Sequence, residues 1–153
     1  MKKLFIPLFG MFFLSAMDIN STARAADWTI PANPGCEVGL GSVTNTGPGF
    51  RASGGNAVIG CSLTKIVGNG NLNWAYARIN RNLAGGADPF CNLNSYDYDG
   101  APSSTTFGFA TDGAGFKSIS MPLPTIYLSG YLNLYCTLNS GDIFYGVRYG
   151  QDD

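Results

Sequence analysis

Four cysteines and not one histidine set the limits on the chemistry of this chain of 153 residues. A cysteine nucleophile needs a base to make its thiolate, and that base is most often histidine. The serine triad in its usual form needs histidine as well. Both are therefore excluded. Cys36, Cys61, Cys91 and Cys136 are separated by 25, 30 and 45 residues, with no CxxC pair among them. Zinc sites draw ligands from close Cys pairs or from Cys mixed with His, so a zinc centre is not expected. Disulfides are. Four cysteines allow three connectivities, and the spacing leaves all three open.

Carboxylates are the next candidates. Beyond residue 25 the chain carries one glutamate, Glu37, and eight aspartates. A glycosidase-like pair would need two of them facing each other across a sugar. Asp97 and Asp99 sit two apart in "NSYDYDG" (94–100). Together with Asn94 or Ser95 they offer the hard oxygens that calcium takes. The remaining positions of an EF-hand loop are missing. The reading preferred here is a hairpin turn at Asp99-Gly100, with metal expected at neither aspartate. No Walker loop is present, and the glycines fit turns better than phosphate cradles.

The third chemistry is aromatic. In "NWAYARINR" (73–81), Ala75, Ala77 and Ile79 share one strand phase. Trp74, Tyr76 and Arg78 share the other. If the aliphatic phase faces a core, a Trp-Tyr-Arg ladder faces outward. Such rings stack on sugars, and the same residue types dominate protein interfaces. Tyr96 with Tyr98, and Tyr131 with Tyr135, form similar pairs. The candidate binding surface is therefore Trp74, Tyr76, Arg78, Tyr96, Tyr98 and Tyr131. Cross-strand tyrosine pairs also stabilise sheets in their own right.

The ends of the chain suggest where these groups work. Lys2 and Lys3 precede an apolar stretch, Leu4–Ala16, and Ala23-Arg24-Ala25 follows as a small-x-small cleavage pattern. The stretch falls short of the roughly 20 residues that span a bilayer. Residues 1–25 read as a secretory signal and residues 26–153 as a single mature domain. No membrane span is expected after cleavage. The short basic start looks bacterial, so the expected location is periplasmic or secreted. Six basic residues then face nine acidic ones, a net charge of about −3. Nucleic-acid binding wants a clustered basic face. Arg78 and Arg81 are the only close basic pair, so nucleic acid is not an expected partner.

The elements that must hold these residues read as strands. No convincing amphipathic helix survives the glycines and asparagines. Strands are expected at Glu37–Thr44, Gly49–Ser53, Asn56–Leu63, Asn73–Arg81, Pro89–Tyr98, Thr105–Thr111, Gly115–Ser120, Pro124–Leu128, Tyr131–Leu138 and Asp142–Tyr149. Turn clusters separate them, and Asp112-Gly113 reads as a tight hairpin. About ten short strands in one domain must curl into a sandwich or barrel to cover their edges. The expected fold is an all-β, single-domain antiparallel sandwich, jelly-roll or immunoglobulin-like, with two disulfides. Cys61, Cys91 and Cys136 alternate in phase with Ile and Leu, so they should face the core. Cys36 lies in the irregular "PANPGC" segment. We favour Cys36–Cys61, which would staple that segment to the domain, and Cys91–Cys136, which would link two core-facing strands.

"VIGCSL" (58–63), "FCNLNSYDYDG" (90–100), "YLNLYCTL" (131–138) and "IFYGVRY" (143–149) give the chain a family likeness. It resembles a loose group of small exported proteobacterial proteins with no assigned function. There a Y-x-L-x-C-T-L strand recurs with a closing Gly/Tyr/Arg strand. Here "CTLN" lacks the proline expected after the leucine. The resemblance implies export, an all-β domain and disulfides, and transfers no catalytic or binding residue. The expected function is a non-enzymatic exported protein that acts through binding or as an envelope or matrix component. Its partner would be a glycan or a protein, and no cofactor is expected. A carbohydrate-binding, lectin-like module is the first alternative, and a small aspartate-dependent hydrolase the second.

Overall fold

A computed structural model describes residues 27–63, 74–82, 86–97, 99–124 and 130–150. The expected leader, Tyr98 and nearly all of the strand expected at Pro124–Leu128 lie outside the described residues. Eleven strands follow in chain order: β1 (Asp27–Pro31), β2 (Glu37–Leu40), β3 (Val43–Asn45), β4 (Phe50–Ala52), β5 (Ala57–Leu63), β6 (Trp74–Arg81), β7 (Phe90–Tyr96), β8 (Pro102–Phe109), β9 (Gly115–Met121), β10 (Tyr131–Leu138) and β11 (Ile143–Gly150). One turn of helix, Ala32–Gly35, joins β1 to β2, and its Asn33 already has extended dihedrals.

The strands form two antiparallel sheets packed face to face. Sheet I runs β3-β4-β11-β6-β9, with β1 also paired to β11, and sheet II runs β2-β5-β10-β7-β8. From β4 onward every connection changes sheet except β7 to β8. The order β4-β11-β6-β9 over β5-β10-β7-β8 is that of an eight-stranded jelly roll. This settles the choice between the two sandwich types expected from sequence.

Alternation fills the space between the sheets. Ala57, Ile59, Cys61 and Leu63 of β5 point inward, as do Leu132, Leu134, Cys136 and Leu138 of β10. Ala75, Ala77 and Ile79 of β6 close the core from sheet I. Each large aliphatic side chain so buried contributes about 1.5–3 kcal/mol. Both expected disulfides are present. Cys91 stands directly opposite Cys136 in the β7–β10 register, with Cα atoms 4.0 Å apart and both residues fully buried. Cys36 and Cys61 are joined with Cα atoms 4.3 Å apart, at the head of β2. They tie the N-terminal segment to sheet II.

Three sequence expectations need correction. Glu37–Thr44 is not one strand. Gly41 adopts φ 79° and packs against the backbone of Asn56 and Ala57, so the chain turns there. β2 stays in sheet II while β3 crosses to sheet I. Asp112-Gly113 does turn, with φ 66° and 83°. It joins β8 of sheet II to β9 of sheet I, so it bridges the sandwich rather than closing a hairpin. Gly108 lets those two edges meet, because a Cβ there would collide with the Ser120 carbonyl and the Ile119 side chain. Thr106 Oγ1 donates to the Pro122 carbonyl across the same seam.

Asp142, expected as the start of a strand, is instead a fully buried anchor. Its Oδ1 accepts from the Asn82 N–H (2.6 Å) and its Oδ2 from the Asn139 N–H (2.8 Å). Its carbonyl accepts from Ala52 N–H (2.9 Å). One carboxylate thus ties the ends of β6 and β10 together, and the backbone beside it holds β4.

Candidate functional site

The outer face of sheet I carries the Trp-Tyr-Arg ladder as the phase of β6 requires. With Ala75, Ala77 and Ile79 inward, Trp74 is half-buried, Tyr76 is 36 % exposed and Arg78 is exposed. The Trp74 and Tyr76 rings lie 5.5 Å apart, tilted by 37°. In register, Tyr76 sits between Arg148 of β11 and Ser120 of β9, and Arg78 between Gly146 and Ser118. Arg148 places its Cζ 5.5 Å from the Trp74 ring centre, a cation–π contact.

Arg148 reaches this face because β11 is bulged. The register with β6 slips between Phe144 and Gly146, and Gly146 adopts φ 126°. The extra residue lets Phe144 and Val147 both point inward while Tyr145 and Arg148 reach the outer side. A side chain at Gly146 would strike the Ile30 carbonyl of β1, so the bulge is seated against that neighbour.

The result is a row along the strand direction. Trp74 and Tyr76 stand at one end. Tyr145 and Phe116 stand at the other, 5.4 Å apart, with Phe116 68 % exposed. Arg78 and Ser118 lie between them, and Arg148 and Ser120 flank Tyr76. From Trp74 to Asn80, which pairs with Phe116, the row spans about 20 Å by strand rise. A shallow depression of about 390 Å³ opens among Tyr76, Arg78, Ser118 and Arg148. A second, of about 250 Å³, lies beside it and is bordered by the same two arginines together with Tyr145, Thr29 and Pro48. Among the described residues no acidic side chain lines either one.

The remaining predicted residues lie on the opposite side of the sandwich. Tyr96 and Tyr131 face each other across β7 and β10, stacked at 5.0 Å and 10° on the outer face of sheet II, with Tyr131 41 % exposed. Burial first, then the Tyr135 and Tyr131 phenols, raise the Tyr96 pKa above its ordinary value of 10.0. The six residues expected as one surface thus form two faces, with Trp74, Tyr76 and Arg78 on one, Tyr96 and Tyr131 on the other, and Tyr98 outside the described residues. Beside the tyrosines a groove of about 280 Å³ is lined by Glu37, Ser62, Asn133 and Tyr135 over the glycines of β2 and β5.

The carboxylates are spread out. Asp88 pairs with Arg81, and Asp142 is buried in its own turn. Asp99 Oδ1 accepts from the Ala101 N–H (3.0 Å), and Gly100 N–H donates to the Asp97 carbonyl (3.0 Å), which places a turn at Asp99-Gly100 between β7 and β8. Among the described residues no three His, Cys, Asp or Glu side chains gather as a metal site would require. Among the described residues, one of the three depressions carries a single carboxylate, Glu37, and two carry none.

Sequence reasoning missed Arg148, Tyr145 and Ser118 as members of the sheet I face. It paired Arg78 with Arg81 instead, yet Arg81 turns to Asp88 and the Gly113 carbonyl. The signal for Arg148 was the glycine in "FYGVRY", which marks a bulge inside a strand. No protein-family model matches the chain, and a search of curated proteins finds no match either.

Proposed function

We propose that this chain is an exported, non-enzymatic carbohydrate-binding domain that lays a glycan along the outer face of sheet I. The observation that carries the reading is the row itself. Two aromatic pairs stand at the ends of a face about 20 Å long, with guanidinium and hydroxyl groups between them. Rings offer flat apolar faces to pyranose C–H groups, and Arg and Ser offer donors to ring hydroxyls. The scaffold supports this use, because sites built on strands hold their geometry better than sites on loops. Two disulfides are consistent with an oxidising compartment outside the cytoplasm, and the leader-like residues 1–25 agree with that.

A protein partner is the second reading, since Trp, Tyr and Arg are the residues that dominate interface energetics. The hydroxyls of the face, Ser118 and Ser120, favour the glycan over the dry apolar centre typical of protein interfaces. A glycan array probed with the disulfide-bonded protein (residues 26–153), with and without calcium, tests the proposal. Selective binding that Tyr76→Ala abolishes is expected. An array with no selective signal, or signals indifferent to Tyr76→Ala, would overturn it.

A further inference from the structure

The groove on the outer face of sheet II is built from facing residues of three strands. Glu37, Gly60 and Tyr135 stand side by side across β2, β5 and β10, and Ser62 pairs with Asn133 two residues along. Ile59 and Cys61 point into the core, so Gly60, Ser62 and the residues paired with them take the outer side. Strand spacing and rise make this patch about 10 Å by 7 Å, the breadth of one pyranose ring. Its floor is bare backbone. Gly35, Gly39 and Gly60 line it, and Tyr135 leans over Gly60 so closely that a Cβ there would stand 3.1 Å from the ring.

The polar groups of this lining are weighted toward accepting. Glu37 is exposed, and among the described residues no cation pairs with it. Asn133 Oδ1 is shut off from water and has no donor among the described residues. A buried acceptor without a donor is a standing cost of the fold. Ser62 adds a hydroxyl, and Tyr135 a ring and a phenol oxygen. Among the described residues no basic side chain lines the groove. A neutral hydroxyl would use one of these acceptors. An ammonium brings three donors and a charge. It pairs with the carboxylate, supplies the donor that Asn133 lacks, and is attracted to the face of a tyrosine ring.

We infer that this groove is a second ligand site, which takes an amino sugar, its ammonium held by Glu37 and Asn133 and its ring against Tyr135. The Asn133 amide turns about its terminal torsion to present Oδ1 to the groove it lines. A lysine side chain would meet the carboxylate but leave the breadth of the glycine floor uncovered. The site lies on the other sheet from Trp74 and Tyr76, and it does not depend on the reading of their face.

Calorimetry on the disulfide-bonded protein tests the inference with three probes, in mildly acidic buffer where sugar amines are protonated: a glucosamine hexamer, the N-acetylglucosamine hexamer of the same skeleton, and trilysine. The glucosamine hexamer should bind about tenfold or more tightly than its acetylated counterpart. Glu37→Gln should remove that preference, with the melting curve unchanged because the side chain is exposed. Asn133→Ala should weaken binding of the glucosamine hexamer. Asp112→Asn changes a charge in the connection from β8 to β9, beyond the far edge of sheet II, and should leave binding unaltered, as should Tyr76→Ala. Equal binding of the two hexamers, no binding of the glucosamine hexamer, or a preference that survives Glu37→Gln or ignores Asn133→Ala overturns the inference. Loss of the preference in Asp112→Asn as well would reduce it to bulk attraction by an acidic chain and overturn it too. Trilysine binding as tightly as the glucosamine hexamer overturns the sugar assignment. Loss of binding in Tyr76→Ala alone would move the amine to sheet I, overturning this site while the glycan reading of sheet I stands.

Discussion

The Arg148 guanidinium lies 5.5 Å from the centre of the Trp74 ring, brought there by a one-residue slip in β11. Without the slip, alternation from the buried Phe144 would turn Arg148 toward the core. Gly146 is the residue that permits it. Gly146→Ala should therefore act twice. The positive φ alone costs about 1–3 kcal/mol, and the new Cβ pushes against the Ile30 carbonyl of β1. A lower thermal midpoint, with the β1–β11 amides losing protection in hydrogen exchange, is expected. An unchanged midpoint would mean the bulge is not what seats this strand.

Asp142 gives a second prediction. Its carboxylate satisfies the N–H groups of Asn82 and Asn139 in a fully buried setting. Hydrogen bonds to a charged group contribute roughly 1.5–3 kcal/mol each, and stranding their donors adds a desolvation cost. Asp142→Ala should lose about 3 kcal/mol or more in urea unfolding. Asp142→Asn keeps one acceptor oxygen and should fall between the two.

The two disulfides should differ in accessibility. Cys91 and Cys136 are fully buried between the sheets, whereas Cys36 and Cys61 sit where the N-terminal segment meets sheet II and Cys61 borders the open groove. Under native conditions a thiol reductant should open Cys36–Cys61 first, read by alkylation and peptide mass. Cys91–Cys136 should yield only on unfolding. Replacing the latter pair by alanine should cost about 3–4 kcal/mol on a loop-closure estimate.

Tyr96 provides a pH signature. Burial, Tyr135 and Tyr131 raise its pKa above 10.0, so the folded state holds this proton more firmly than the unfolded chain does. Its contribution to stability is complete below pH 10 and is lost as pH climbs through the folded value. Absorbance titration at alkaline pH should show one late tyrosinate that Tyr96→Phe removes. A titration unaltered by that substitution would refute the assignment.

Much of this was legible in the sequence where local pattern and tertiary demand agree. β10 runs from Tyr131 to Leu138, as its alternation requires, and the inward phase of β6 follows from its alanines. The spacing of the cysteines left three pairings open, and the favoured one, Cys36–Cys61 with Cys91–Cys136, is the one present. Three things were not legible. Period-two alternation says which side of a strand a residue takes, but not which sheet the strand joins. The ladder at Trp74 and the tyrosines at Tyr96 and Tyr131 therefore looked like one surface and are two. A turn signal such as Asp112-Gly113 fixes backbone shape without fixing what the flanking strands pair with. A bulge resets the phase, which hid Arg148, and a buried aspartate such as Asp142 has no signature until its donors from distant segments are in place.

The central claim is that Trp74 and Tyr76 form the platform of a glycan site. Trp28→Phe leaves Trp74 as the sole tryptophan of the chain. Titrating that protein with the oligosaccharides selected on the array should give a saturable change in its emission, and Tyr76→Ala should remove both the change and the heat of binding. Saturable heat of binding with Trp74 emission unmoved and Tyr76→Ala without effect would contradict the account.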